Sequence, residues 1–389
     1  MKATFPLMPG SVLGLMGGGQ LGRMFAQAAA RMGYEVLVLE KGACPAAEVS
    51  AMHIDAAYTD PAALEAMASQ TAAVTTEFEN VPAEALSTLA EKGCRTAPAA
   101  YAVSIAQDRL DEKTFLEKVA GVPVAPHAAV LSDEDIEGLD EALFPGILKT
   151  TRMGYDGKGQ AQVADKREAH EAFKAMGGRF CILEKRLPLA NEVSVIVCRG
   201  ADGRAVTFPV CENHHRNGIL AQTVIPARVP DEIAARARGY AETIAQALQY
   251  QGVLCIEFFV LTDGSIVANE MAPRPHNSGH ATIEACETSQ YEQQVRAMAG
   301  LPLGETTLVT PAVMLNILGD AWFDEEGNKR EPDWAGVLAL PGIKLHLYGK
   351  KEARRARKMG HLTAIGENVE TALARAKAAA RVLGLPEPW

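Results

Sequence analysis

The sequence predicts a mixed α/β and α+β protein in three parts: an α/β domain over residues 1–110, an α+β domain over 111–305 and a small C-terminal domain over 306–389. Three observations lead there. The first hundred residues alternate short apolar runs with alanine-rich helical stretches, the rhythm of a parallel βαβ sheet. The middle of the chain switches to strands joined by hairpins. The length, 389 residues at 48% apolar and 22% charged, exceeds what one core usually organises.

The elements follow in order. A strand over 11–16 leads through glycines into a helix over 20–32, which Gly33 closes. A strand over 34–40, a helix over 61–69, a strand over 73–78 and a helix over 82–92, stopped by Gly93, complete the first rhythm. A helix over 109–119 opens the second part. Strands follow over 145–150, 179–186, 192–198 and 205–211, then a long helix over 231–248. The last part carries strands over 312–317 and 343–347 and a terminal helix over 369–383.

Composition narrows the function. A net charge of −10 argues against a broad nucleic-acid surface. The seven cysteines are scattered without a CxxC pair, which fits a reducing cytoplasm and argues against structural zinc. No signal-peptide pattern stands at the N-terminus, and no apolar run approaches the roughly 18 residues of a membrane helix.

The run 253–274, VLCIEFFVLTDGSIVANEMAPR, reads as two apolar strands joined at Thr262-Asp263-Gly264. A two-residue Asp263-Gly264 loop pairs Thr262 with Ser265 and sets Glu257 opposite Glu270; a three-residue loop shifts that register by one. Like charges facing each other across a sheet repel. The pair therefore points to a cation between them, and two carboxylates with Asn269 alongside suit Mg²⁺, with Mn²⁺ as a substitute. The alternative is a solvent-facing hairpin with two unrelated glutamates.

Two glycine-rich turns carry further chemistry. Gly17-Gly18-Gly19-Gln20-Leu21-Gly22 matches GxGxxG, with Glu40 at the end of the next strand, so an NAD-dependent oxidoreductase is one reading. The bare amides at a helix N-terminus accept other phosphates equally well. The second turn spans 149–160, with Lys149 beneath it, Gly154, Gly157 and Gly159 within it, and Arg152 and Lys158 as cations. Glycine for close approach and cations for neutralisation suit a triphosphate. Glu184-Lys185-Arg186-Leu187 and Glu192 flank a strand-to-strand linker fit for an adenine edge and ribose hydroxyls. Pro273 and Pro275 stiffen the segment that carries Arg274, His276 and Asn277; His276 reads as a base or as a hydrogen-bond donor. Glu77 and Glu79 share one face at a strand end.

Taken together, GGGQLGRM (17–24), TTEFENV (75–81), QDRL (107–110), GYDGKGQ (154–160), ENHHRNGIL (212–220), NEMAPRPHNSGH (269–280) and RKMGH (357–361) span nearly the whole chain in order. The set resembles the ATP-grasp superfamily and, within it, the 5-(carboxyamino)imidazole ribonucleotide synthetases of purine biosynthesis. The resemblance implies a pre-ATP-grasp domain over 1–110, an ATP-grasp domain over 111–305, a C-terminal domain over 306–389 and a homodimer. It implies that ATP, bicarbonate and 5-aminoimidazole ribonucleotide give ADP, phosphate and the carboxyamino product through carboxyphosphate. Arg109, Lys149, Gly154, Tyr155, Asp156, Gly157, Lys158, Gly159, Gln160, Glu184, Lys185, Arg186, Leu187, Glu192, His215, Asn269 and Glu270 would then surround ATP. Glu257 and Glu270 would hold the metal. Gln20, Glu77, Tyr155, Asp156, Arg274, His276, Asn277, Lys350 and Arg357 would face the ribonucleotide or bicarbonate, with Arg274, His276, Lys149 and Lys158 catalytic. Another ATP-grasp ligase, such as a formate-dependent glycinamide ribonucleotide transformylase, is the nearest alternative. One departure stands out: Arg355-Ala356 occupy the place of an expected Pro-Gly pair before RKMGH.

Overall fold

The computed structural model describes residues 5–154 and 159–387. Tyr155, Asp156, Gly157 and Lys158 of the second glycine-rich turn lie outside the described residues.

Five parallel strands form the first sheet: β1 (Val12–Met16), β2 (Glu35–Leu39), β3 (Met52–Ile54), β4 (Ala73–Thr76) and β5 (Arg95–Thr96), in the order β3-β2-β1-β4-β5. Their apolar runs show no alternation because both faces are covered. Leu13 and Leu15 pack with Phe25 of the helix Gln20–Arg31. Met16 and Val74 pack with Leu64 and Leu86 of the helices Pro61–Gln70 and Ala83–Glu91. The strand order reverses between β1 and β4, which opens a crevice at their C-terminal ends.

Four antiparallel strands form the second sheet: β6 (His127–Val130), β7 (Gly146–Thr150), β8 (Gln160–Val163) and β9 (Cys181–Lys185), in the order β6-β9-β7-β8. The third sheet holds β10 (Leu189–Arg199), β11 (Ala205–Thr207), β12 (Cys211–Arg216), β13 (Ile219–Ile225), β14 (Gly252–Leu261), β15 (Ile266–Ala272), β16 (Ala312–Leu318), β17 (Ile343–Leu347) and β18 (Lys358–Ile365). Its order is β15-β14-β10-β12-β13-β16-β18-β17, with β11 beside β10. The strands after residue 306 extend this same sheet, because β16 pairs with β13. The helix Asp231–Ala247 covers β10 and β14, and the helix Val369–Leu383 covers β16 and β18.

Two local expectations are corrected. No single strand spans 205–211: β11 ends at Thr207 and β12 begins at Cys211, and Pro209 between them has no N–H for the ladder. The helix over 109–119 is α-helical only over Arg109–Thr114 and widens into a π turn over Phe115–Val119.

The hairpin reaches its register by another route. Val260 pairs with Ile266, and Leu261 N–H donates to Ser265 O at 2.8 Å, so the loop holds three residues rather than two. A bulge at Asn269 then restores the lost residue, and Glu257 does face Glu270.

The helix Gln290–Ala299 lies between the first and third sheets and is more polar than its burial predicts. Gln290, Gln293 and Gln294 are fully buried. Gln294 accepts from Val253 N–H at 2.6 Å and donates to Thr75 Oγ1 at 2.9 Å and Ala97 O at 2.8 Å, joining the two sheets. Where β17 and β18 meet the segment after β15, three imidazoles stack: His280 on His361 at 4.4 Å and His361 on His346 at 4.5 Å between ring centroids. His280 and His361 are completely buried, and each accepts or donates through Nδ1 to a tyrosine hydroxyl, Tyr291 and Tyr348 respectively.

Burial holds His280 and His361 well below the usual histidine range. The unfolded chain takes up these protons near its ordinary value and the folded chain does not, so their stabilisation is full above about pH 6.5 and fades below it. Other groups titrate in the same window, so the stability difference between wild type and His361→Gln isolates the effect. That difference should shrink by up to about 1.4 kcal/mol per pH unit as pH falls below about 6.5, measured by denaturant midpoints. A difference independent of pH would contradict it. At the departure from the family pattern, Ala356 sits at φ +61, the left-handed region that glycine adopts freely. Ala356→Gly should therefore stabilise the protein by about 1 kcal/mol in the same measurement, and a loss of stability would contradict the strain.

Candidate active site

The site lies where the crevice of the first sheet meets the cleft between the second and third. On the nucleotide side, β7 and β9 place Lys149 and Glu184 together. Lys149 Nζ donates to Glu184 Oε2 at 2.9 Å, and Lys113 Nζ lies 3.5 Å from the same oxygen. All three side chains are buried. Burial opposes the charge on Glu184, but Lys113 and Lys149 outweigh it and hold the carboxyl below its usual range. Glu184 Oε1 remains buried without a partner. Of the linker amides, Lys185 N–H and Arg186 N–H are already given to Pro126 O and Pro145 O. Gly159 O accepts from Thr150 N–H at 2.8 Å, and Gln160 pairs with Lys149, so the far end of the glycine-rich turn returns onto β7.

Arg109, at the start of its helix, reaches across the cleft to Glu270 at 3.1 Å and to Gly154 O at 3.5 Å. Burial would raise Glu270, but the charges of Arg109 and Lys149 outweigh it and hold the carboxyl at about 2. Beside it, burial and the Glu270 charge push Glu112 up to about 8, and its Oε1 accepts from Met271 N–H. The backbone Asn269 O accepts from Lys113 Nζ, and the side-chain Asn269 Oδ1 is buried and unpaired. Opposite Glu270, Glu257 Oε1 lies 3.1 Å from His276 Nε2. Arg109 thus offsets the charge of Glu270, and His276 Nε2 lies within hydrogen-bond reach of Glu257. Further along the third sheet, His215 Nδ1 lies 2.6 Å from Glu192 Oε2. Burial opposes its charge, yet Glu192 and Glu257 push His215 up to about 9, so it is a cation at neutral pH.

The crevice of the first sheet supplies the other wall. Gly17 sits at φ +104, and a Cβ there would lie 2.6 Å from Glu77 Cγ. Gly19 N–H and Gly22 N–H donate to the two Glu77 oxygens at 2.7 and 3.1 Å, and Gly18 N–H donates to Glu40 Oε2 at 3.0 Å. Carboxylates of the chain itself therefore fill the place that a dinucleotide pyrophosphate takes in such a turn. Glu79 has a different task. It receives Arg274 Nε at 2.5 Å, and Arg274 overcomes the effect of burial to hold that carboxyl below its usual range. The sequence left Glu77 and Glu79 undivided; the structure gives one to the turn and the other to the arginine.

Asn277 is buried and its Nδ2 has no partner. Gln20 is half-buried at the helix start beside the turn. In the basic run, Lys351, Arg354 and Arg355 are exposed, whereas Lys350 and Arg357 are half-buried. Lys350 Nζ donates to Lys358 O at 2.7 Å and Arg357 Nη1 to Glu352 O at 2.8 Å. A Cβ on Gly349 would lie 3.0 Å from the Arg23 guanidinium, so Lys350 follows a residue packed against the helix that the glycine turn opens. Sequence reasoning missed Glu112 and Lys113; their helix reads as an ordinary charged surface until the fold buries it.

Known proteins match this arrangement over more than nine-tenths of its length. The model of the ribonucleotide synthetase preATP-grasp domain matches residues 11–107, that of the ATP-grasp domain 115–291, and that of the phosphoribosylaminoimidazole carboxylase C-terminal domain 312–375. The N5-carboxyaminoimidazole ribonucleotide synthase of Brucella melitensis is 48% identical over 363 residues, covering 92% of this chain and 97% of the relative. That of Bacillus subtilis is 40% identical over 359 residues, 92% of each chain. This chain belongs to the N5-carboxyaminoimidazole ribonucleotide synthase family. A solved ADP complex of such a synthetase superposes with a TM-score of 0.89 at 43% identity, covering 98% of this chain and 99% of the other. The Aspergillus clavatus synthase, solved with ADP and 5-aminoimidazole ribonucleotide, superposes at 0.87 with 30% identity, covering 96% of this chain and 98% of the other. The family architecture of preATP-grasp, ATP-grasp and C-terminal domains is the mixed α/β and α+β fold expected from the sequence.

Proposed function

We propose that this chain uses ATP to carboxylate the amine of 5-aminoimidazole ribonucleotide with bicarbonate, releasing ADP and phosphate. The observation that carries it is one continuous row, Arg109–Glu270–Glu257–His276, with buried Lys149–Glu184 at its nucleotide end and Arg274–Glu79 beside it. Buried polar atoms left without partners cost about 1–3 kcal/mol each. Glu184 Oε1, Asn269 Oδ1 and Asn277 Nδ2 are such atoms, and a bound nucleotide and ribonucleotide would satisfy them.

Phosphoryl transfer needs positioning and charge neutralisation more than covalent chemistry. Lys149 and Arg109 supply fixed positive charge where the γ-phosphoryl group would sit. Glu257 and Glu270 would hold Mg²⁺, which neutralises the phosphate oxygens during transfer. The unpaired Asn269 Oδ1 beside them adds a hard oxygen donor. Arg274, fixed by Glu79, would bind the bicarbonate oxyanion and then carboxyphosphate, with His276 alongside. Carboxyphosphate is quickly lost to water, so the site must close before transfer. Gln20 and the half-buried Lys350 and Arg357 would take the ribose and phosphate of the ribonucleotide, and His215 with Glu192 the nucleotide. The same proposal places the enzyme as a homodimer in the cytoplasm; no described helix is long and apolar enough to cross a membrane.

ADP formation should be strongly stimulated by 5-aminoimidazole ribonucleotide, and the carboxyamino product should appear only with bicarbonate. A coupled ADP assay with product chromatography reads both. Robust turnover on formate and glycinamide ribonucleotide would overturn the proposal.

A further inference from the structure

His276 Nδ1 is surrounded by hydrogen-bond donors. The backbone N–H of Ser278 points at it from 3.3 Å, and an amide can only donate. Ser278 Oγ lies 2.9 Å from the same nitrogen. Behind it runs a chain of buried side chains: Ser194 Oγ donates to Ser278 Oγ at 2.8 Å, and Asn213 Nδ2 donates to Ser194 Oγ at 2.9 Å. Thr223 Oγ1 donates to Asn213 Oδ1 at 3.0 Å and closes the chain on β13. Ser194, Ser278 and Thr223 are completely buried and Asn213 nearly so, so the chain is closed to bulk water, and the Ser278 amide at its end sets the direction. Ser194 and Ser278 each accept one hydrogen bond from behind and donate one forward. The last, from Ser278, arrives at Nδ1. Gln290 meanwhile grips the His276 backbone, accepting from its N–H at 2.9 Å and donating to its carbonyl at 2.7 Å.

We propose that Thr223, Asn213, Ser194 and Ser278 are positioning residues that fix His276 as the Nε2–H tautomer. The imidazole then faces Glu257 and the reacting groups as a hydrogen-bond donor, with its one lone pair turned into the protein. His276 therefore cannot take the proton of the substrate amine through Nε2. It steadies an oxyanion or the Glu257 carboxylate instead. Its value for catalysis rests on the function proposed above; its tautomer does not.

The test is long-range ¹H–¹⁵N correlation of the histidine rings in the ligand-free protein near neutral pH. Loss of one of the nine histidine patterns in His276→Asn assigns the ring. Read at a pH where the ring is neutral, the wild-type protein should show the Nε2–H pattern; an Nδ1–H pattern overturns the proposal outright. Asn213→Asp replaces the donor behind Ser194 with an acceptor, which reverses the chain and should move the ring toward Nδ1–H. Ser278→Ala removes one of the two donors at Nδ1 and keeps the amide, so the Nδ1–H form should become detectable without becoming dominant. The substitution should also lower kcat about tenfold while KM for ATP changes less than about twofold, the scale on which orienting partners act. If Ser278→Ala leaves both ring pattern and kcat unchanged, the chain does not position His276. An inactive protein whose wild-type ring is Nε2–H would sink the proposed reaction and leave the tautomer standing.

Discussion

The placement of Glu257 opposite Glu270 is the constraint on which the site depends. Two carboxylates across a ladder repel, and a sheet that keeps them must surround them with positive charge or donors. Arg109 answers Glu270 from the helix before the second sheet, and His276 answers Glu257 from the segment after β15. Glu112, pushed up to about 8 by burial and by Glu270, avoids a third full charge by holding its proton. Each compensation ties another part of the chain to the hairpin, so the electrostatic demand of one residue pair assembles the cleft.

The same logic joins the first sheet to the rest. Arg274 leaves the hairpin on a proline-stiffened segment and meets Glu79 at the end of β4. Gln294 bonds simultaneously to β14 and to the first sheet. Replacing such a buried amide with an apolar group would strand the Val253 N–H, Thr75 Oγ1 and Ala97 O that it satisfies. The crevice of the first sheet is therefore half of the site, with its position fixed by polar contacts rather than by apolar packing alone.

Much of this was legible in the sequence because the informative residues are local. The βαβ rhythm, the glycines closing the helices at 33 and 93 and the Asp-Gly turn each act within a few residues. The hairpin shows how a right conclusion can hide a wrong step: the loop has three residues, and a bulge at Asn269 returns the glutamates to register. Long-range pairings were not legible. Nothing near Glu112 or Lys113 says that β15 will cover them, and no element is assigned from the sequence over the buried helix Gln290–Ala299. Glu77 and Glu79 lie two residues apart on one strand end, and only the fold separates their tasks. The glycine turn was ambiguous for the same reason: its amides suit any anion, and the anions that fill it come from β2 and from the end of β4, distant in sequence.

The facing glutamates are proposed to bind the divalent ion that accompanies the nucleotide. Mn²⁺ electron paramagnetic resonance titrations in the presence of ADP measure this directly, without turnover. Wild-type protein should take up Mn²⁺ with ADP, and Glu270→Gln and Glu257→Gln should each weaken that uptake by about tenfold or more in protein that circular dichroism shows to be folded. Unchanged Mn²⁺ uptake in both variants would contradict the account.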